Sequence, residues 1–362
     1  MRNTSGPTHR FSTLILAVAA VVLTGLPALG REPGLPPAWS IPDSRSARWA
    51  SVTALPDGEG WLLCGWDTVW RVAGPSSVRP LVRSVAEGGV LRQPFNVAVA
   101  PKTLLVYDRE TMNFIEADRA SGKPVRSLVF TQAGGVPYTG SAWNGSRWVL
   151  AGFMKDATQA LLEIQTRDAT SFAFVGGTSL ATEERALTRL LQAFGSVAPG
   201  PKGQTLLSFI ALSRAIVVDD KGAELLSLVL PVAADRALRP EGVKAPPTNM
   251  DENRAIFRGK SIPVGVGWTG DDPCVLIADL GRGDDALRWC CFSTRTGSLA
   301  GETVLGLPSR DPGDWFSAAA TTRNGRTTVA VLSRPYAGSG SKMTTTLYGF
   351  QIPPRRTSKG TR

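Results

Sequence analysis

Between residues 51 and 331 one pattern recurs six times, and this internal repeat limits the fold more than any single motif does. A run of small and apolar residues enters a tight turn, a strongly apolar run follows, and a third run ends in a polar turn. The copies begin Ser51–Cys64, Asn96–Asp108, Ser141–Ala151, Ser196–Ser208, Val266–Ile277 and Ala318–Val331. Asn144-Gly145 and Asn324-Gly325 are hairpin dipeptides, because both residue types accept the positive φ of a tight primed turn, and Asp57-Gly58 suits the same role. The third runs end in turns at Asp118–Lys123, Asp219–Gly222 and Ser293–Gly297. Fourth runs such as Val125–Phe130 and Glu224–Leu230 lead into the next copy. Successive first turns are roughly 44, 43, 57, 69 and 54 residues apart.

Four short strands per repeat, at this spacing, predict an all-β chain: a six-bladed β-propeller over residues 31–352 with one inserted helix. Two of the longer gaps hold insertions. Thr182 caps the first, Glu183 and Glu184 suit its positive end, and Leu187, Leu190, Leu191 and Phe194 share a face before Gly195, so it reads as the helix. The second, from about Ala233 to Lys260, is rich in Pro and charge and reads as a loop. The sixth repeat lacks an outer strand of its own, and Trp39–Pro42 is the segment available to supply it and close the ring. On its strand spacing, and on turns like Tyr107-Asp108 and Asp118–Lys123, the chain resembles the NHL-repeat and TolB-like propellers. It departs from WD40 proteins, since Trp66-Asp67 occurs without recurring and without a Gly-His pair.

The chain opens with Arg2 and Arg10, an apolar run from Phe11 to Leu26, and small residues at Ala28 and Gly30. That order is a secretory signal cleaved after Gly30, with an uncleaved anchor as the alternative. The expected location is secreted or periplasmic, with no membrane span after cleavage. The formal charge of +10 falls to about +8 when Arg2 and Arg10 leave. Part of the remainder sits in a polar basic tail, residues 353–362, expected to be disordered. No Lys/Arg stripe interleaved with aromatics marks a nucleic-acid groove, and the chain reads as a monomer.

The one histidine is His9, inside the signal. Without it the processed chain has no imidazole for a Ser-His-Asp set, a histidine base or a histidine-ligated metal. What remains is carboxylate, Lys, Tyr or Cys chemistry, or an oxygen-ligated calcium. Of the cysteines Cys64, Cys274, Cys290 and Cys291, the second and fourth fall opposite each other if the turn at Gly281–Asp284 centres between Arg282 and Gly283. A cross-strand disulfide and a pair of small buried side chains are both open readings.

Gly265-Val266-Gly267-Trp268-Thr269-Gly270 fits a dinucleotide pattern, but Asp271-Asp272-Pro273 and a strand-like run follow where a helix is needed. Ser339–Lys342 fits S-x-x-K inside a Gly/Ser-rich loop. Trp143, Trp268 and Trp315, on or beside first strands, either line the channel mouth and stack a flat ligand or wedge neighbouring blades together. Asn96 is the polar candidate among them. The expected function is a non-catalytic module for a protein or small-molecule ligand, without a cofactor. The alternative is a calcium-dependent hydrolase of the lactonase-like propeller type, for which Asn96 and Asn144 are loosely placed and no inner-strand Glu is evident.

Overall fold

The computed structural model describes residues 34–44, 47–83, 91–111, 113–129, 135–146, 148–154, 160–165, 172–178, 195–239, 250–280, 287–307, 315–334 and 344–354. The expected signal segment, the helix expected after Thr182 and the basic tail beyond Pro354 lie outside the described residues. Leu35–Arg362 forms one compact unit.

The described strands fall into four-stranded antiparallel units. The segment β1 (Trp39–Pro42) comes first in the chain but belongs to the last unit. Unit 1 is β2 (Ser51–Ala54), β3 (Trp61–Cys64), β4 (Thr68–Gly74) and β5 (Ser77–Arg83). Unit 2 is β6 (Pro94–Val99), β7 (Thr103–Asp108), β8 (Asn113–Asp118) and β9 (Pro124–Val129). Unit 3 is β10 (Gly135–Trp143), β11 (Trp148–Met154), β12 (Ala160–Gln165) and β13 (Phe172–Thr178). Unit 4 is β14 (Gly195–Pro199), β15 (Thr205–Phe209), β16 (Arg214–Val218) and β17 (Glu224–Val229). Unit 5 is β18 (Ser261–Thr269), β19 (Asp272–Asp279), β20 (Leu287–Phe292) and β21 (Leu299–Leu305). Unit 6 is β22 (Trp315–Arg323), β23 (Arg326–Arg334), β24 (Thr346–Ile352) and, on its outer edge, β1.

First strands touch in cyclic order, β2 to β6, β10, β14, β18, β22 and back to β2. This is a β-propeller. At one junction the approach is close enough for parallel pairing, Gly265 with Ala318 and Val266 with Ala319. A Cβ on Gly265 would lie 2.6 Å from that of Ala318, so only a bare backbone fits there.

Why the second strands read as unbroken apolar runs follows from this packing. Each unit is sandwiched, so both faces of its strands are buried although the sheets are antiparallel. Along β7, Leu104 and Val106 join Leu62, Cys64 and Val69 of unit 1, while Leu105 and Tyr107 face Trp148 of unit 3. Along β19 and β20, Cys274, Leu276, Trp289 and Cys291 pack on Val329, Val331 and Phe350 of unit 6. Val275, Ile277 and Cys290 turn the other way, onto Leu206 and Val217 of unit 4. The turns between third and fourth strands interlock the units further. Gly122 (φ 73°) and Gly297 (φ 69°) sit so close to the outer strand of the preceding unit that a Cβ would lie 1.9 Å from the Leu81 carbonyl and 2.6 Å from that of Ser227.

Several local expectations need correction. The Pro- and charge-rich insertion is not all loop: helix α1 spans Met250–Phe257. Phe257 is buried in the unit 5–unit 6 core and Ile256 packs beside it. Gly259 (φ 72°) ends the helix, its N–H donating to the Leu280 carbonyl. Asn324 (φ 51°) and Gly325 (φ 72°) make a two-residue turn with positive φ at both centres. At Asn144-Gly145 only the glycine has positive φ. Trp143 there pairs with Trp148 across a four-residue loop, and Asn144 Oδ1 accepts from the N–H and Oγ of Ser146. Pro56 starts a 3-10 turn over Pro56–Gly58, so Asp57-Gly58 is not a two-residue hairpin.

Candidate functional site

The first strands of all six units line one cavity of about 300 Å³ around the ring axis. The repeat builds its wall. Toward one end each of five units places a small polar residue on its first strand: Ser51, Asn96, Ser141, Ser196 and Ser317. Further along come small apolar residues, among them Ala98, Ala142, Ala198, Gly267 and Ala319. Near the far end stand Trp143, Trp268, Pro56, Pro199 and Thr322. Among the described residues, no Asp, Glu, Lys, Arg or His lines the cavity.

Much of the polar capacity of this wall is spent between units. Ser51 Oγ donates to the Phe95 carbonyl (2.7 Å) and Thr53 Oγ1 to that of Val97 (2.9 Å), tying unit 1 to unit 2. Ser141 Oγ donates to Asn96 Oδ1 (3.0 Å), tying unit 3 to unit 2. The Val52 N–H donates to Ser317 Oγ (3.2 Å), and Thr322 Oγ1 to the Trp268 carbonyl (3.1 Å). Hydroxyls on first strands therefore replace the ladder bonds that strands of separate sheets cannot make.

Three of the four residues expected at the site line the cavity: Asn96, Trp143 and Trp268. The tryptophans also wedge the units apart. Trp143 lies edge-on to Trp148, ring centres 5.0 Å apart, beside the unit 2–unit 3 core. Trp268 spans from unit 5 to unit 4, and a Cβ on Gly200 would fall 2.2 Å from its ring. Both indole N–H groups are buried with no hydrogen-bond partner among the described residues. Trp315 is not part of the lining. It begins β22 two residues ahead of Ser317, is 40% exposed, and rests edge-on against Phe257 of α1 at 5.9 Å. The serine collar was missed in the sequence. Its signal is the recurrence of Ser or Asn at the same place in successive repeats, which stands out only when the repeats are laid over one another.

Calcium calls for six to eight oxygen ligands, carboxylates prominent among them. The wall offers one amide and scattered hydroxyls, four of which already donate to acceptors elsewhere. Asn144 is buried beyond the lining, and among the described residues no three His, Cys, Asp or Glu side chains gather. The residues present do not fit the ion.

Cys274 and Cys291 pair across β19 and β20, with Cα atoms 4.0 Å apart and their sulfurs bonded. Cys64 and Cys290 are free and buried, and burial pushes the Cys64 thiol up to about 12. The densest polar cluster lies away from the cavity, in unit 5. Asp279, 3% exposed, accepts from Ser261 Oγ (2.5 Å) and from Arg288 Nε (2.9 Å), and Arg288 also reaches Glu302 (3.1 Å) and the Pro231 carbonyl. Every one of these contacts is internal, which marks a structural ion pair.

No protein-family model matches the sequence, and no curated protein matches it. Among solved structures, the chain is similar to a calcium-binding protein, regucalcin, from Agrobacterium tumefaciens. There the TM-score is 0.51 at 11% identity, covering 89% of this chain and 96% of that one. It is likewise similar to a member of the DUF4221 family from Bacteroides vulgatus, with TM-score 0.55 at 10% identity, covering 90% of this chain and all of that one. At these identities the likeness concerns architecture alone, and it agrees with the ring of sheets: the chain has the β-propeller fold.

Proposed function

We propose that this chain is an exported propeller that binds an uncharged ligand in its central cavity without acting on it chemically. The observation that carries the reading is a cavity walled by all six first strands without one ionisable side chain among the described residues. General acid–base or nucleophilic chemistry needs a titratable group or an activated nucleophile within reach of the substrate. A wall of Ala, Val, Ser, Thr and two tryptophan rings instead offers contact area and a few dipoles. Export rests on the N-terminal order of basic, apolar and small residues, and N-terminal sequencing of the processed protein should begin at Arg31. The regucalcin likeness makes calcium binding the natural competitor, but among the described residues the cavity wall carries none of the carboxylates such a centre would use.

The test uses N-phenylnaphthylamine, an uncharged fluorescent probe, with the intact protein. Fluorescence should rise on binding, and Ala319→Phe, which fills the wall, should abolish the rise. Equal binding by that variant would show that the probe sits elsewhere. Lactone hydrolysis abolished by EDTA and restored by calcium would replace this reading with the hydrolase.

A further inference from the structure

A second surface lies apart from the cavity wall, at the end of the ring where the first strands begin. Residues that precede first strands share this end with those that follow second strands, because the two strands are antiparallel neighbours. In unit 1, Arg48 precedes β2 and its guanidinium sits 5.2 Å above the ring of Trp66, which follows β3. In unit 2, Arg109 follows β7 and covers the Phe95 ring at 5.4 Å. In unit 6, Arg334 ends β23 directly opposite Trp315. The three units are consecutive around the ring, since β2 touches both β22 and β6. Trp66 is 52% exposed and Trp315 40%. Arg48, Arg109 and Arg334 are all exposed. Arg334 is held below the ordinary arginine pKa by partial desolvation and then by Arg48, which places those two guanidiniums near each other.

The described carboxylates at this end of the three units are already engaged. Asp43 accepts the N–H groups of Ala47 and Arg48. Asp108 is fully buried and accepts four backbone N–H groups, from Arg92, Gln93, Glu110 and Thr111. Glu110 pairs with Arg92, and Asp67 accepts from Thr68 Oγ1. None of Arg48, Arg109 and Arg334 is in an ion pair with a described acid.

We infer that this arc of arginines alternating with aromatic rings docks the propeller on an anionic phospholipid surface. Guanidinium groups fork onto phosphate oxygens, and indole rings settle at headgroup depth, apolar body inward and N–H toward water. Stacking on a ring holds Arg48 and Arg109 extended, so less freedom is lost on contact. The net basic charge of the chain adds a long-range pull of the same sign.

The experiment is co-sedimentation of the full chain with phosphatidylglycerol-containing vesicles, against phosphatidylcholine vesicles, at 0.1 M and 0.5 M salt. All variants keep the same N-terminal segment, so its own affinity for lipid cancels between them. The double variant Arg48→Gln, Arg334→Gln should bind anionic vesicles on the order of tenfold more weakly at low salt. It should match the unaltered chain at high salt and on phosphatidylcholine. Trp66→Ala alone should weaken binding severalfold, and near-ultraviolet circular dichroism checks that each variant is folded. The control, Lys102→Gln with Lys202→Gln, alters turns at the opposite end and should change nothing. Equal affinity of the arginine variant, or an equal loss in the control, overturns the inference. So does capture by poly-glutamate with no preference for anionic vesicles, which would assign the arc to an acidic protein.

Discussion

Replacing Gly349 with alanine tests how the ring is closed. Gly349 lies opposite Trp39 in the β1–β24 pairing, and a Cβ there would fall 2.0 to 2.6 Å from three atoms of the Trp39 ring. An indole cannot flex away as a long aliphatic chain does, so the whole ring must leave its seat. It packs there beside Ile41, Trp49, Leu63, Leu332 and Leu347, where units 6 and 1 meet. Losing that contact costs about 2 kcal/mol, as for an aromatic side chain only partly returned to water. Loosening the pairing from Trp39 to Pro42 adds about 1 kcal/mol more. Urea unfolding of Gly349→Ala should therefore show a loss of about 3 kcal/mol with little change in slope. A double-mutant cycle isolates the cause. Once Trp39→Ala has removed the ring, adding Gly349→Ala should cost almost nothing, a coupling of about 3 kcal/mol. A near-neutral Gly349→Ala, or strictly additive losses, would refute the idea that this tryptophan seated on this glycine holds β1 in the ring.

Other outcomes follow from buried groups. Burial raises Cys64 from 9.0 to about 12 and Tyr107 from 10.0 to about 12. Both neutral forms are favoured in the fold, so their stabilising effect is complete below pH 9 and drains away as pH climbs toward 12. At pH 10.5 Cys64 alone should cost about 2 kcal/mol in urea unfolding, and Cys64→Ala should lose less on going from pH 8 to 10.5. Reduction of Cys274–Cys291, which closes a loop over a separation of 17 residues, should lower stability by about 3 kcal/mol, read as a shifted urea midpoint with and without dithiothreitol. Arg288→Ala leaves Asp279 buried without its cation and should cost about 3–5 kcal/mol, with Arg288→Met no better because the charge is still missing.

The strands were legible because sandwiched sheets bury both faces: a run such as Leu104–Tyr107 is apolar at consecutive positions, and its boundaries carry turn residues. The seat of the closing strand at Trp39–Pro42 was legible for a negative reason, since the last repeat had no apolar run left for its edge. Turn detail was less readable, because Pro56 next to Asp57-Gly58 commits the backbone to a 3-10 turn before the dipeptide can act. Helix α1 was hidden by Pro246 and Pro247 and by its charges. Its one strong anchor, Phe257, earns a meaning only from the unit 5–unit 6 cleft it fills. At the site, tryptophans drew notice by rarity while serines did not. Trp143 and Trp268 line the cavity, while β22 runs nine residues and begins with Trp315 outside the lining. The serine collar depends on which side of each first strand faces the axis, a matter of register between units and not of composition.

The pairing of Trp39 with Gly349 also sets a timetable. The first of the described strands to be made must wait for the last of them before it has a partner. Until β24 arrives, unit 6 presents a bare edge and the arc of units remains a crescent. Contacts this distant in sequence are slow to form and leave sticky intermediates behind. A nascent chain stalled before residue 346 should thus remain open to proteases however many of its sheets have already folded.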